Sequence, residues 1–80
     1  MKATIRLFNA HKGTIRTLPN TGEYPYFTHD RQALFDALDQ YPDTIPDGIY
    51  SALVTFNGGT GKCFLLECKA GNMKELFSYY

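Results

Sequence analysis

Residues 49–69 read IYSALVTFNGGTGKCFLLECK, and this segment does most to set the architecture of the chain. Two apolar runs of strand length, Ile49 to Phe56 and Lys62 to Lys69, flank the glycine-rich connection Asn57 to Gly61. Glycine accepts the positive φ angles that tight turns need, so the pattern predicts a β-hairpin. Successive side chains of a strand point to opposite faces, and this hairpin is apolar on both.

The N-terminal part of the chain predicts a second antiparallel pair. Residues 2–9 alternate between apolar and polar side chains, which is the period of a half-buried strand. Residues 11–13 supply a turn, and residues 14–18 can return as a strand with Ile15 pointing inward. This phase places basic side chains together on the outer surface, which we call the basic face: Lys2, Arg6 and Arg16, with Lys12 at the hairpin tip.

One helix is predicted over residues 30–41. Its apolar residues, among them Leu34 and Leu38, recur at helical spacing, and Pro42 ends the run. The helical wheel places Asp36 and Asp39 together on the opposite, polar side, which should face solvent when the helix packs its apolar face against a sheet.

The C-terminal segment predicts a short second helix. Asn72 and Glu75 have capping-box spacing, and apolar residues follow at helical intervals, although a last strand is an open alternative. The predicted order is therefore β-β-α-β-β with a C-terminal helix. We expect an α+β fold in a single domain over residues 1–80, in which a four-stranded antiparallel sheet packs against one helix.

One helix can cover only one face of such a sheet. The apolar side chains of the central hairpin that fall on the other face need a second cover. Either the segment from Met73 to Tyr80 or a second chain, as in a homodimer, can supply it. We call the residues concerned the association face: Ile49, Leu53, Cys63 and Leu65.

The composition weighs against several classes of function. The formal net charge is zero, no apolar run reaches the ~20 residues of a membrane span, and the N-terminus lacks a signal-peptide core. Cys63 and Cys68 lie five residues apart in a predicted strand, so their side chains should point to opposite faces. The spacings of a metal site, a phosphate loop and a nucleophile with its base are missing from the sequence. We expect a cytoplasmic protein with no catalytic residues, metal or cofactor.

The charges are nevertheless segregated along the chain. Acidic side chains extend from the predicted helix into the following loop, and we call them the acidic ridge: Asp36, Asp39, Asp43 and Asp47. A rigid row of carboxylates can occupy a basic groove meant for phosphates, whereas a solvated helix face is the plainer interpretation. The basic face, in contrast, could contact phosphates directly, with binding that weakens in salt.

A small single domain with no catalytic set, and with the acidic ridge beside the basic face, resembles the phage-encoded inhibitors known as anti-CRISPR proteins. The resemblance implies a non-catalytic inhibitor that blocks DNA binding or nuclease recruitment of a CRISPR-Cas surveillance complex by stoichiometric contact. It also implies a protein partner in the host cytoplasm rather than nucleic acid or a membrane. Two alternatives remain open: a small nucleic-acid-binding or regulatory module that uses the basic face, and a structural subunit or dimer module.

Overall fold

The computed structural model describes residues 1–9, 11, 13–57, 59 and 61–79, without the side chain of Thr14. Within these residues, five antiparallel strands form one sheet in the order β2-β1-β3-β4-β5, and a turn of 3-10 helix, Phe27–His29, leads into the helix α1. In the described part of the chain, no helix is long and apolar enough to cross a membrane. The bounds are β1 Ala3–Asn9, β2 Thr14–Leu18, α1 Asp30–Gln40, β3 Gly48–Phe56, β4 Gly61–Lys69 and β5 Asn72–Tyr79.

The α+β class, with one helix on an antiparallel sheet, is confirmed, and the helix ends one residue before its predicted limit. The predicted strand count and the predicted C-terminal helix are wrong, because Asn72–Tyr79 forms a fifth strand paired with β4. Ala70 and Gly71 have φ angles of 52° and 81°, and together they close a two-residue hairpin. A helix of eight residues has little stability of its own in water. Pairing of the same segment with β4 instead gives hydrogen-bond partners to the backbone groups along the free edge of β4.

The core lies between α1 and one face of the sheet. The register places alternate residues of β1, β3 and β4 on this side, where Phe64, Ile5 and Leu66 are fully buried. Leu34 of α1 is also fully buried against them. The loops that flank α1 add Tyr24 to the core and pack Tyr41 and Ile45 around it. The helix α1 and parts of the two loops that flank it thus pack on one side of the sheet.

The phase of β2 is the reverse of the predicted one. Phe8 pairs with Ile15 and Leu7 pairs with Arg16, so Ile15 lies on the face opposite α1 and is 67% exposed. Arg16 lies on the helix side, where its Nη1 donates to the Tyr41 hydroxyl at 2.8 Å. The cause is the length of the hairpin connection, which pairs Asn9 with Thr14. A change of one residue in that length would move every side chain of β2 to the other face of the sheet.

The β4–β5 hairpin contains a strained residue whose replacement should stabilise the fold. Ala70 has a φ of 52°, a left-handed conformation that costs an L-residue other than glycine roughly 1–2 kcal/mol. Asparagine followed by glycine is favoured in this turn, so Ala70→Asn should raise the free energy of unfolding by about 1 kcal/mol and the melting temperature by about 4–8 °C. Thermal unfolding measures the change.

Asn57 provides the reciprocal control for this prediction. It has the same φ of 52° after β3, so Asn57→Ala should lower the melting temperature where Ala70→Asn raises it. A melting temperature that is unchanged or lower in Ala70→Asn would show that the alanine is not strained.

Candidate functional site

The acidic ridge divides into residues with partners inside the chain and residues that face outward. Asp36 is half-buried, and its Oδ2 accepts a hydrogen bond from the Tyr24 hydroxyl at 2.8 Å. Asp47 accepts a hydrogen bond from the backbone N–H of Ala70 at 3.0 Å and thereby ties the loop before β3 to the β4–β5 turn. The expectation that Asp36 lies on the solvent side of the helix is therefore wrong. Asp36 and Asp47 thus each have a hydrogen-bond partner elsewhere in the chain.

Tyr24 explains why Asp36 is held so firmly. Its side chain is only 4% exposed, and its hydroxyl also accepts a hydrogen bond from Asn20 Nδ2 at 3.0 Å. The same amide nitrogen donates to the carbonyl of Ala33 in α1. Burial raises the pKa of Tyr24, as does the Asp36 carboxylate, so the hydroxyl keeps its proton and remains a donor. The network attaches the long connection between β2 and α1 to the helix.

Asp39 and Asp43, in contrast, are both exposed and line the same cleft of about 380 Å³. The cleft lies between the end of α1, the loop that follows it and the β4–β5 turn, and we call it the acidic cleft. The partial negative charge at the C-terminal end of α1 adds to the charge of the two carboxylates. The apolar side chains that line the cleft are Phe35, Leu38, Ile45 and Met73.

This combination fits one kind of side chain. Lysine and arginine carry an apolar stem and a cationic head, so the stem can lie on the apolar lining while the head reaches the carboxylates. Asp39 and Asp43 are the charged residues among the described residues that line the cleft, and both are acidic. The local field therefore favours a cation over an anion.

The two cysteines lie on opposite faces of the sheet, as predicted. Cys68 is buried on the helix side, beside the acidic cleft, and its Sγ donates to the carbonyl of Ile45 at 3.4 Å. Burial raises the pKa of Cys68, which keeps it a thiol and a poor nucleophile. Cys63 is partly exposed on the other face, where it is paired with Leu53 of β3. The described residues contain no group of three or more His, Cys, Asp or Glu side chains that could hold a metal ion.

The basic face is not assembled as the sequence predicted. Arg16 lies on the helix side with Tyr41, whereas Arg6 is exposed on the opposite face of the sheet. The Nζ atom of Lys2 lies 3.4 Å from Oε1 of Glu23 and donates a hydrogen bond to the carbonyl of Thr21. Lys12 lies outside the described residues. The nucleic-acid-binding alternative thus loses the continuous cationic surface on which it was based.

The association face, in contrast, lies where it was expected. The register places Ile49, Leu53, Cys63 and Leu65 on the side of the sheet opposite α1, which we call the open face. The C-terminal segment does not cover it, because β5 extends the sheet instead. The sequence interpretation missed further apolar residues of this face: Phe8, Ile15, Phe77 and Tyr79. Ile15 had been assigned to the other face of β2, and Phe77 and Tyr79 to a helix.

An ion pair fixes the edge strand β5 to the helix. Arg31 donates to Glu75 from Nε at 2.6 Å and from Nη2 at 3.0 Å, and its guanidinium lies over the ring of Phe64. The hydrogen bonds from Arg31 lower the pKa of Glu75. A carboxyl whose pKa is lower in the folded state contributes stability above its unfolded pKa and loses it as the pH falls through the folded pKa.

Glu75→Gln should therefore lower the melting temperature at neutral pH, and the difference from the native protein should vanish in acid. Arg31→Gln should have the same effect at neutral pH, and the double variant should lose no more than either single one, because the two side chains act as a pair. Thermal unfolding at a series of pH values, from near neutral down to the acid limit of the folded state, measures the effect. A difference that persists in acid would contradict an ionic cause.

Comparisons with protein-family models, with curated proteins and with solved structures found no match to this chain. A function is therefore inferred from the surfaces of the chain itself.

Proposed function

We propose that this chain is a non-catalytic protein-binding inhibitor that acts by stoichiometric contact, with the acidic cleft as the surface that meets its target. The observation that carries the proposal is the placement of Asp39 and Asp43, which are exposed and line one cleft with an apolar lining. Asp36 and Asp47 do not line the cleft and instead accept hydrogen bonds from Tyr24 and Ala70.

The contact is a lysine or arginine of the target seated in the cleft. Its stem packs on Phe35, Leu38 and Met73, and its charged head pairs with the carboxylates of Asp39 and Asp43. Exposed charges act mainly on the association rate, whereas removal of one partner of a desolvated pair costs roughly 2–5 kcal/mol. Arginine suits the cleft better than lysine, because its planar head makes two parallel hydrogen bonds to a carboxylate.

The target class is a nucleic-acid-handling defence complex of the host, in keeping with the resemblance to anti-CRISPR proteins. A protein that grips a phosphate backbone does so with lysine and arginine, so its groove presents the side chains that the acidic cleft fits. An inhibitor seated on them would exclude the nucleic acid or the nuclease without any chemistry. The resemblance and the charge of the cleft both support this part of the proposal.

The test is expression of the chain in a panel of bacterial strains, each with one active CRISPR-Cas type, infected by a phage that the system targets. The expected result is that one type loses its immunity, which restores plaque formation. The double variant Asp39→Asn and Asp43→Asn should then lose at least about tenfold of this inhibition, which corresponds to ~1.4 kcal/mol of binding. Its control is Glu23→Gln, which removes an exposed carboxylate outside both the cleft and the sheet.

Each arm of this test can overturn part of the proposal. If no strain of the panel loses immunity, the inhibitor is not directed at a CRISPR-Cas complex. If one does, and the cleft variant inhibits as well as the control, the acidic cleft is not the contact surface. Equal amounts of folded protein, checked by circular dichroism, are required in both arms.

A further inference from the structure

The open face carries a row of side chains that crosses the whole sheet and is apolar on four of the five strands. Phe8 pairs with Ile15 on one side and with Ser51 on the other, and Ser51 pairs with Leu65, which pairs with Phe77. One residue from each strand thus falls on a single line: Ile15, Phe8, Ser51, Leu65 and Phe77. The large side chains stand toward the edges, and the small serine stands on the central strand β3.

Several large apolar side chains on or beside this row are exposed to solvent. Ile15 is 67% exposed and Phe77 is 58% exposed, and Tyr79 packs beside Phe77 with a ring-to-ring distance of 5.5 Å. Partly exposed Leu53, Cys63 and Ile49 widen the surface on β3 and β4. An apolar surface of this extent marks a protein contact.

We propose that the occupant of the open face is a second copy of this chain, packed face to face about a two-fold axis that runs roughly parallel to β3. Two twisted sheets pack naturally in this way, about 10 Å apart, to form a sandwich. Two-fold dimers are the commonest protein assemblies, because one self-complementary surface is enough to form them. This inference is independent of the proposed inhibitor function.

The sheet order makes the face complementary to itself. Rotation about an axis along β3 keeps each residue at its level along the strands and exchanges the two sides of the sheet, so β1 faces β4 of the partner and β2 faces β5. Phe8 then lies over Leu65 of the partner and Ile15 lies over Phe77 of the partner. Leu53 of one copy meets Leu53 of the other at the axis.

The charged side chains of the open face fit the same arrangement. Glu67 and Lys74 are directly paired neighbours on β4 and β5, toward one end of the interface, where water reaches them. Arg6 comes opposite Cys63 of the partner rather than opposite another cation, and its long side chain can extend past Thr4 to the other end. Among the residues that the structure describes, the two-fold arrangement therefore brings no like charges together.

The area of the face suits a weak contact rather than a tight one. Four spacings of ~4.8 Å across the strands and seven residues of ~3.4 Å along them give a footprint of about 460 Å² per copy. Two copies bury about 900 Å² in this way, which lies just under the roughly 1,000 Å² of a stable specific interface and in the range of transient ones. The dimer should therefore dissociate on dilution into monomers that stay folded around the core on the helix side. Both acidic clefts lie on the helix sides and remain outside the interface.

The experiment is light scattering over a concentration series under reducing conditions. The native chain should rise from its monomer mass of 9.1 kDa toward twice that value as concentration increases. Phe77→Glu should keep the monomer mass throughout. The matched control is Phe27→Glu at the start of the helical region, because Phe27 is 62% exposed and has the same side chain on another surface. This control should dimerise like the native chain.

A mixing experiment tests the arrangement itself. Ile15→Glu and Phe77→Lys should each be monomeric alone, whereas their equimolar mixture should recover the dimer, since one glutamate then faces one lysine across the interface. A native chain that is monomeric at every concentration overturns the proposal, as does a Phe77→Glu variant that still dimerises. Two monomeric variants that fail to associate when mixed overturn the two-fold arrangement. Circular dichroism of each variant at low concentration shows that the fold is retained.

Discussion

Replacement of Leu34 by alanine is expected to lower the free energy of unfolding by about 2–5 kcal/mol and to unfold much of the protein. Leu34 is 0% exposed, and it packs within the core between α1 and the sheet. The substitution removes buried apolar atoms and leaves a cavity that close-packed neighbours fill only in part. A domain of this size is stable by only several kcal/mol, so a loss of this size is a large share of the total.

Urea denaturation followed by circular dichroism measures this loss, at one fixed protein concentration because association would add to the stability. Leu38→Ala is the control on the same helix. Leu38 is only half-buried at the acidic cleft, so the loss should be clearly smaller. If the two variants lose the same amount, or if Leu34→Ala is nearly as stable as the native chain, the core has been placed wrongly.

The elements that the sequence predicted well are those with a strong period and clear ends. The hairpin of β3 and β4 has long apolar strands on both sides of a glycine-rich connection, and α1 has a buried stripe that includes Leu34 before Pro42. In both cases the local pattern and the tertiary contacts agree, because the residues that recur at the correct spacing are those that meet the core. Little knowledge of distant contacts is needed to place them.

The errors arose where contacts distant in sequence override the local pattern. The spacing of Asn72 and Glu75 suits a helix cap, but Glu75 instead binds Arg31 of α1, and the segment pairs with β4. The phase of β2 depends on the length of a turn, and a strand with few apolar residues cannot reveal a one-residue slip. Because of these two errors, the sequence analysis did not assign Ile15 of β2 and Phe77 of β5 to the open face.

The candidate site was predicted in composition but not in detail. Asp39 and Asp43 line one cleft, whereas Asp36 and Asp47 accept hydrogen bonds from Tyr24 and Ala70. A helical wheel gives the direction of each side chain of α1, but it contains no information about the loop that crosses the helix. Tyr24 reaches Asp36 from that loop, twelve positions away, and no periodicity of the helix indicates the contact. The wheel thus assigned Asp36 and Asp39 to the same solvent-facing surface, whereas the tertiary structure gives them different contacts.

Because their contacts differ, Asp36→Lys and Asp39→Lys should change the free energy of unfolding in different ways. Asp36→Lys removes the acceptor of the Tyr24 hydroxyl and puts a cation beside a buried polar network, which should cost about 1–3 kcal/mol of unfolding free energy. Asp39→Lys exchanges an exposed acid for a base near the C-terminal end of α1. The helix dipole favours that exchange, so the stability should be unchanged or higher by up to about 1 kcal/mol.

Chemical denaturation of both variants, beside Asp36→Asn, measures the difference. Asparagine keeps an oxygen that can accept the bond from Tyr24, so Asp36→Asn should retain most of the stability that Asp36→Lys loses. Equal stability of the two lysine variants would contradict the separate roles of the two aspartates. The comparison also gives meaning to assays of inhibition, because a loss of activity in Asp39→Lys at full stability reports on the contact with the target. The same loss in Asp36→Lys would report on the fold, since the carboxylate that it removes holds the loop of Tyr24 to α1.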